Sequence, residues 1–217
     1  MNKAKLPPLY LLLASMSSYR RMCLEKLGVN FLQYSPNIDE QSLPNETPAQ
    51  LVQRLSHQKA QAGQQYIRNQ SEQIPSLVIG SDQVLVVEDQ IFGKPKTHAN
   101  AVAQLSALSG QTCEFLTGLC LLADANHSFF KHRIQIGLER TAVTFRTLSL
   151  EQIEAYLALE QPFDCAGSFK SEAGGVMLCQ SISGRDPNSL VGLPLMLLLD
   201  MLTKLGYVLP LTHSSQS

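Results

Sequence analysis

Tryptophan is missing from the chain, and aromatic residues make up only 6% of it. Few flat rings are left on which nucleobases could stack, and a formal net charge of −1 supplies no broad basic field, so a general nucleic-acid binder is disfavoured. No stretch reaches the roughly 18 apolar residues of a membrane span. The cysteines, Cys23, Cys113, Cys120, Cys165 and Cys179, are odd in number and contain no CxxC pair. Neither a disulfide framework nor a zinc site is indicated, and a reduced, cytoplasmic setting fits better. His57, His98, His127, His132 and His213 show no metal-ligand spacing. Also absent are the GxxxxGK[ST] phosphate loop, the GxGxxG fingerprint and the GxSxG nucleophile elbow. Cys23 and Cys165 lack an evident histidine partner, which argues against a thiol nucleophile.

What remains has the balance of an ordinary globular protein, with 217 residues, 44% hydrophobic and 16% charged. No repeat, low-complexity tract or long linker interrupts it, so residues 1–217 read as a single domain. Lys3 and Lys5 followed by Leu9 to Ala14 imitate a signal peptide. The short apolar run between Pro7, Pro8 and the Arg20-Arg21 pair reads instead as a buried strand.

Ser15 to Ser18 then lead into a helix ending near Leu27, with Gly28 as its stop, and Thr47-Pro48 opens a long helix to about Ile67. Leu77 to Ile79 predicts a second strand; Val84 to Val87 with Ile91 and Phe92 predicts a hairpin around Glu88, Asp89 and Gln90. Thr97 caps a helix to Leu108, strands follow at Cys113 to Leu122 and Gln135 to Phe145, and Ser149 with Gln152 boxes a helix to about Leu159. Pro194 to Leu205, apolar nearly all round, predicts a deeply buried helix. The pattern is α/β, with a mixed sheet flanked by helices.

Four segments carry candidate chemistry. Ser15-Met-Ser-Ser-Tyr-Arg-Arg21 lies at a strand-to-helix junction, where free N–H groups and the helix dipole favour an anion. Its two arginines are either solvated surface groups or, since they sit where the dipole disfavours cations, bear a cost that a bound phosphate removes. On the Thr47 helix the stripe Leu51, Val52, Leu55, Ala62 and Tyr66 places Lys59 on the core-facing side, where it either snorkels to solvent or projects into a cleft between lobes. Gly80-Ser-Asp-Gln83 puts the Asp82 carboxylate at the end of a strand, and the hairpin returns Gly93-Lys94-Pro95 close to it. Asp39 and Glu40 add a second acidic site that, with Asp82, suits Mg²⁺. The glycines of Cys165 to Gly175, of Gly184-Arg-Asp-Pro-Asn188 and of Val191-Gly-Leu-Pro194 permit the close backbone approach of a pocket wall, or mark ordinary turns.

The ordered set Leu13-Ala-Ser-Met-Ser-Ser-Tyr-Arg-Arg21, Ile38-Asp-Glu40, Lys59, Gly80-Ser-Asp-Gln83, Gly93-Lys-Pro95, Leu108-Ser-Gly110, Thr117-Gly118, Ala166-Gly167 and Val191-Gly-Leu-Pro194 resembles the Maf family of nucleotide pyrophosphatases over nearly the whole chain. Tyr19, Gln83 and Ser168-Phe-Lys-Ser-Glu172 look most like the subgroup acting on 7-methyl-GTP. The resemblance implies an inosine triphosphatase-like fold of two lobes with a central cleft, a nucleoside triphosphate substrate, and possible homodimerisation. It implies a catalytic Asp82, phosphate contacts from Ser15, Arg20, Lys59 and Lys94, and Mg²⁺ or Mn²⁺ held by Glu40 and Asp82. Base selection falls to Tyr19, Gln83 and Glu172. The family often has proline where this chain has Ser18, a change that removes no charge. The alternative is a nucleotide-binding regulator of cell division that does little chemistry; retention of Glu40, Lys59, Asp82 and Lys94 favours the enzyme.

Overall fold

The computed structural model of the protein describes residues 10–70, 77–88, 90–123 and 133–211. Leu9, Asp89 and the histidines at 127, 132 and 213 lie outside them. Strand β1 (Leu11–Leu13) is buried throughout, because it runs between two parallel neighbours, β2 (Phe31–Gln33) and β3 (Leu77–Val87). Between β1 and β2, helix α1 (Ser18–Glu25) starts on the Ser17 hydroxyl, which accepts the Arg20 backbone N–H. The helix stops short of the predicted Leu27, and Gly28 follows at φ +64°.

The predicted break after Ile79 does not occur. β3 continues for 11 residues through Gly80-Ser-Asp-Gln83, because β5 (Thr112–Ala123) pairs with it antiparallel from Leu77↔Ala123 to Val86↔Glu114. That ladder takes up the backbone groups of the segment that face β5 and holds it extended. Asp82 therefore sits in mid-strand, not at a strand end. A turn at Glu88, with φ +54°, leads into β4 (Gln90–Phe92) and completes the predicted hairpin. β6 (Ile134–Phe145) and β7 (Cys179–Gly184) extend the sheet antiparallel. The order is β2-β1-β3-β5-β6-β7, with β4 beside β3. Edge strand β7 was hidden by its polar composition, Cys-Gln-Ser-Ile-Ser-Gly.

Two apolar cores form at opposite ends of the long strands. At one end, Leu77, Ile79, Leu119 and Leu121 pack with α1 and with α6 (Leu195–Lys204). At the other, Leu85, Phe115, Val143 and Phe145 pack with α3 (His98–Leu108) and α4 (Leu150–Glu160). Gly80 to Gln83 lie at the seam between these lobes, and α2 (Pro48–Arg68) crosses the seam against β3 and β5.

Two helical faces differ from prediction. The α2 face that meets the sheet continues from Lys59 through Ala60 and Gly63, leaving Ala62 half-buried, while exposed Tyr66 stacks on Tyr34 at 4.4 Å. Small residues at 60 and 63 fit a helix pressed onto a sheet better than the larger ring does. α6 buries Leu195, Leu198, Met201 and Leu202 but exposes Met196 and Asp200, since the sheet covers only one of its sides. Among the described residues no helix is long and apolar enough to cross a membrane.

Candidate active site

Side chains of a strand alternate between its faces, so Gly80 and Asp82 point one way from β3, and Ser81 and Gln83 the other. On the first face α2 lies against the strands themselves. A Cβ added at Gly80 would fall 2.0 Å from the Ser56 carbonyl oxygen and 2.7 Å from the Ala60 nitrogen. At Gly118, opposite Asp82 in the ladder, one would fall 2.3 Å from the Val52 carbonyl oxygen. Two glycines thus let the helix backbone occupy space that side chains would otherwise fill.

This approach delivers Lys59. Its Nζ donates to Asp82 Oδ1 at 2.6 Å and lies 2.7 Å from Glu40 Oε1. Lys59 is 6% exposed and Asp82 8%, so the lysine does not snorkel to solvent. Burial pushes the Glu40 carboxyl up, but the hydrogen bond and charge of Lys59, with Lys94 and Arg20 beyond, outweigh it and hold the group below its ordinary value.

On the opposite face, α5 (Pro187–Val191) and the loop after it form a wall, the first of the two readings that the glycine segments left open. Asp186, 1% exposed, accepts the Asn188 N–H at one carboxylate oxygen and the Met196 N–H at the other. Gly192, at φ +110°, directs its carbonyl to the Arg20 Nε–H at 2.9 Å and the Ser81 hydroxyl at 2.8 Å. Arg20 Nη1 also donates to Ser15 Oγ at 3.3 Å. Burial lowers the Arg20 pKa, while Asp82 and Glu40 oppose the change. The local signal for this wall was Asp186-Pro187, a helix cap followed by a first-turn proline. Its acceptor for Arg20 is a backbone carbonyl and left no mark in side-chain identity.

Ser15, Tyr19, Arg20, Glu40, Lys59, Gln83, Lys94 and Glu172 all line one cavity of about 430 Å³, within the range of small-molecule sites. Asp82 lies behind its wall, reached through Lys59. Arg21 instead pairs with Glu25 on the surface, and Asp39 accepts the Gln41 N–H in a turn. Gln83 commits its amide nitrogen to the wall, 2.8 Å from Ser189 O, 3.2 Å from Leu190 O and 2.9 Å from Thr117 Oγ1. Only its carbonyl end is left for a ligand.

Tyr19 carries Lys170 Nζ 6.0 Å from its ring centroid, with Asp164 and Cys165 beside it. Burial, then the neighbouring Cys165 and Asp164, raises the Tyr19 phenol pKa, and burial likewise raises that of Glu172. The Cys165 thiol, pushed up to about 12 by burial and then by Asp164, stays protonated at neutral pH and is unsuited to nucleophilic attack. Glu40 and Asp82 converge on one cationic nitrogen, a pair of carboxylates that would suit a divalent cation together with water and phosphate oxygens. Among the described residues no group of three or more His, Cys, Asp or Glu side chains is placed to hold a metal by itself.

Residues 10–205 match the family described as Maf-like protein. A 7-methyl-GTP pyrophosphatase of Alcanivorax borkumensis is 48% identical over 93% of this chain and 96% of its own. One from Pseudomonas putida is 50% identical over 92% and 98%, and one from Pseudoalteromonas translucida 47% identical over 90% and 92%. A solved nucleoside-triphosphatase (dITP/XTP pyrophosphatase) from Mycobacterium abscessus gives a TM-score of 0.40 at 14% identity over 63% of this chain and 74% of that one, too distant a likeness to bear on the site. With a family match spanning both lobes and relatives near half-identical along almost their whole length, the chain belongs to the Maf-like family.

Proposed function

We propose that the protein hydrolyses 7-methyl-GTP between its α and β phosphates, giving 7-methyl-GMP and pyrophosphate, as a house-cleaning enzyme for modified nucleotides. The observation that carries this reading is one cavity with two unlike regions. Arg20, Lys59 and Lys94 gather around Glu40 in one, with Asp82 behind its wall on Lys59, while Tyr19 and Glu172 stand in the other. The names of the relatives agree with it.

In the first region the chain supplies charge rather than covalent chemistry. Arg20, fixed by Gly192 and Ser15, and Lys59 and Lys94 bind the phosphate oxygens and stabilise the charge that develops as the anhydride bond breaks. Water adds to phosphorus, Asp82 accepts its proton, and pyrophosphate departs with the bridging oxygen. A divalent ion held by Glu40 and Asp82 would neutralise the polyphosphate and help to orient water. In the second region, Tyr19 stacks on the purine and Glu172 accepts from the guanine N1 and N2 edge. Its negative charge favours a base made cationic by methylation at N7. Gln83 offers its carbonyl between sugar and phosphate.

The five free thiols suit a reduced, cytoplasmic compartment, and the family resemblance points to a homodimer. A panel of canonical and modified triphosphates, with products identified, tests the activity. Monophosphate and pyrophosphate are expected, with 7-methyl-GTP turned over faster than GTP. Diphosphate and phosphate, or binding without turnover, would overturn the assignment.

A further inference from the structure

We propose that in the nucleotide-free protein Lys59 fills the position between Glu40 and Asp82 that a divalent cation takes during turnover, so that the ion enters with the triphosphate and not ahead of it. The inference rests on the reading of Glu40 and Asp82 as the ion's carboxylates. Lys59 Nζ is 2.6 Å from Asp82 Oδ1 and 2.7 Å from Glu40 Oε1, so one ammonium already serves both acids. An ion arriving alone must displace it from both.

Charge makes that displacement unfavourable. Arg20 acts on both carboxylates and Lys94 on Glu40, so with Lys59 three cations face two acids at this end of the cavity. The balance is already positive, and a bare dication adds to it. A metal–triphosphate complex remains anionic and reverses the sign. It also brings phosphate oxygens to which Lys59, with three N–H donors and no acceptor, can transfer. The transfer frees both carboxylates from the ammonium, so that they can hold the ion. Occupancy of the phosphate site and access of the ion are therefore coupled through one side chain.

The test uses Mn²⁺ and the full chain, following the free-ion electron paramagnetic resonance signal. Wild-type protein alone should leave that signal nearly unchanged, and should take up Mn²⁺ when the non-hydrolysable α,β-methylene analogue of GTP is added. Lys59→Met, which keeps both acids and removes the ammonium, should bind Mn²⁺ without nucleotide at least about tenfold more tightly than wild type, because the ion now neutralises an otherwise unpaired buried carboxylate. Lys59→Gln serves as a second variant with a polar side chain. As a readout independent of the spectrum, Mn²⁺ alone should raise the Tm of either variant but not that of wild type. Equal Mn²⁺ affinity, or equal Tm shifts, in wild type and both variants would overturn the proposal. If Glu40→Gln leaves Mn²⁺ uptake in the nucleotide complex unchanged, the carboxylate assignment itself falls, and this inference with it.

Discussion

Gly80→Ala tests whether close packing of α2 is what sets the site. The added Cβ would lie 2.0 Å from the Ser56 carbonyl oxygen, against 3.4 Å for the nearest ordinary contact. The helix must retreat by the difference, about 1.4 Å, because the second obstacle, the Ala60 nitrogen at 2.7 Å, is also backbone and cannot rotate away. Lys59 lies on that same stretch, and its 2.6 Å bond to Asp82 would open towards 4 Å, beyond hydrogen-bonding distance. Overpacking of this kind costs about 1–3 kcal/mol. For a chain of this length that lowers Tm by roughly 2–4 °C per kcal/mol. A displacement of about 1 Å in a catalytic constellation can cost on the order of 10²-fold in rate. The expected result is a folded protein with a modestly lower Tm and kcat/KM reduced about a hundredfold. Melting curves and steady-state kinetics on the purified variant decide it. Wild-type Tm and activity together would refute the reasoning, because the geometry leaves no room for an unshifted helix.

Three further outcomes follow from the same site. Asp82→Asn, nearly isosteric and still able to accept from Lys59, should keep the fold while turnover falls about 10²-fold or more; near-normal kcat in a folded protein would remove Asp82 from the mechanism. Tyr19→Arg and Glu172→Gln should each shrink the ratio of kcat/KM for 7-methyl-GTP over GTP, Tyr19 by the roughly 0.5–2 kcal/mol of a cation–π contact, and an unchanged ratio would show that neither residue reads the base. Glu172 has a folded-state pKa raised by burial, so falling pH neutralises it earlier than an exposed carboxylate. The preference for the cationic base should therefore fade on acidification at a higher pH than an exposed carboxylate would give, and Glu172→Gln should abolish that dependence.

Elements whose causes are local were legible in the sequence. Thr97 caps His98–Leu108, Thr47-Pro48 opens α2, and the box of Ser149 with Gln152 forms as its residue types require. The continuity of β3 was not legible, because its cause is β5, a partner distant in sequence. The orientation of Lys59 was readable from helical spacing, whereas its ion partners depended on two glycines that bring α2 onto the sheet. Gln83 shows the opposite case. Its identity suggested a ligand contact, but its donors go to Ser189 and Leu190, carbonyls that carry no side-chain signature.

Gly80-Ser-Asp-Gln83 can now be explained as an ordering of donors and acceptors across one strand. The α2 face offers Asp82 an ammonium. The α5 face offers the carbonyls of Gly118, Ser189, Leu190 and Gly192, all acceptors. Ser81 and Gln83 can donate to those carbonyls; a carboxylate in either place could donate to none of them and would leave them unpaired in a dry setting. A slip of one residue in the β3–β5 register would turn every side chain of the segment to the wrong face, setting Asp82 against the carbonyls and a β-carbon against α2. The register that buries the aliphatic residues of β3 is thus the one that satisfies its polar residues. The same arrangement aims Asp82 at Lys59 and, through the shared Gly192 carbonyl, holds Arg20 at the opposite wall.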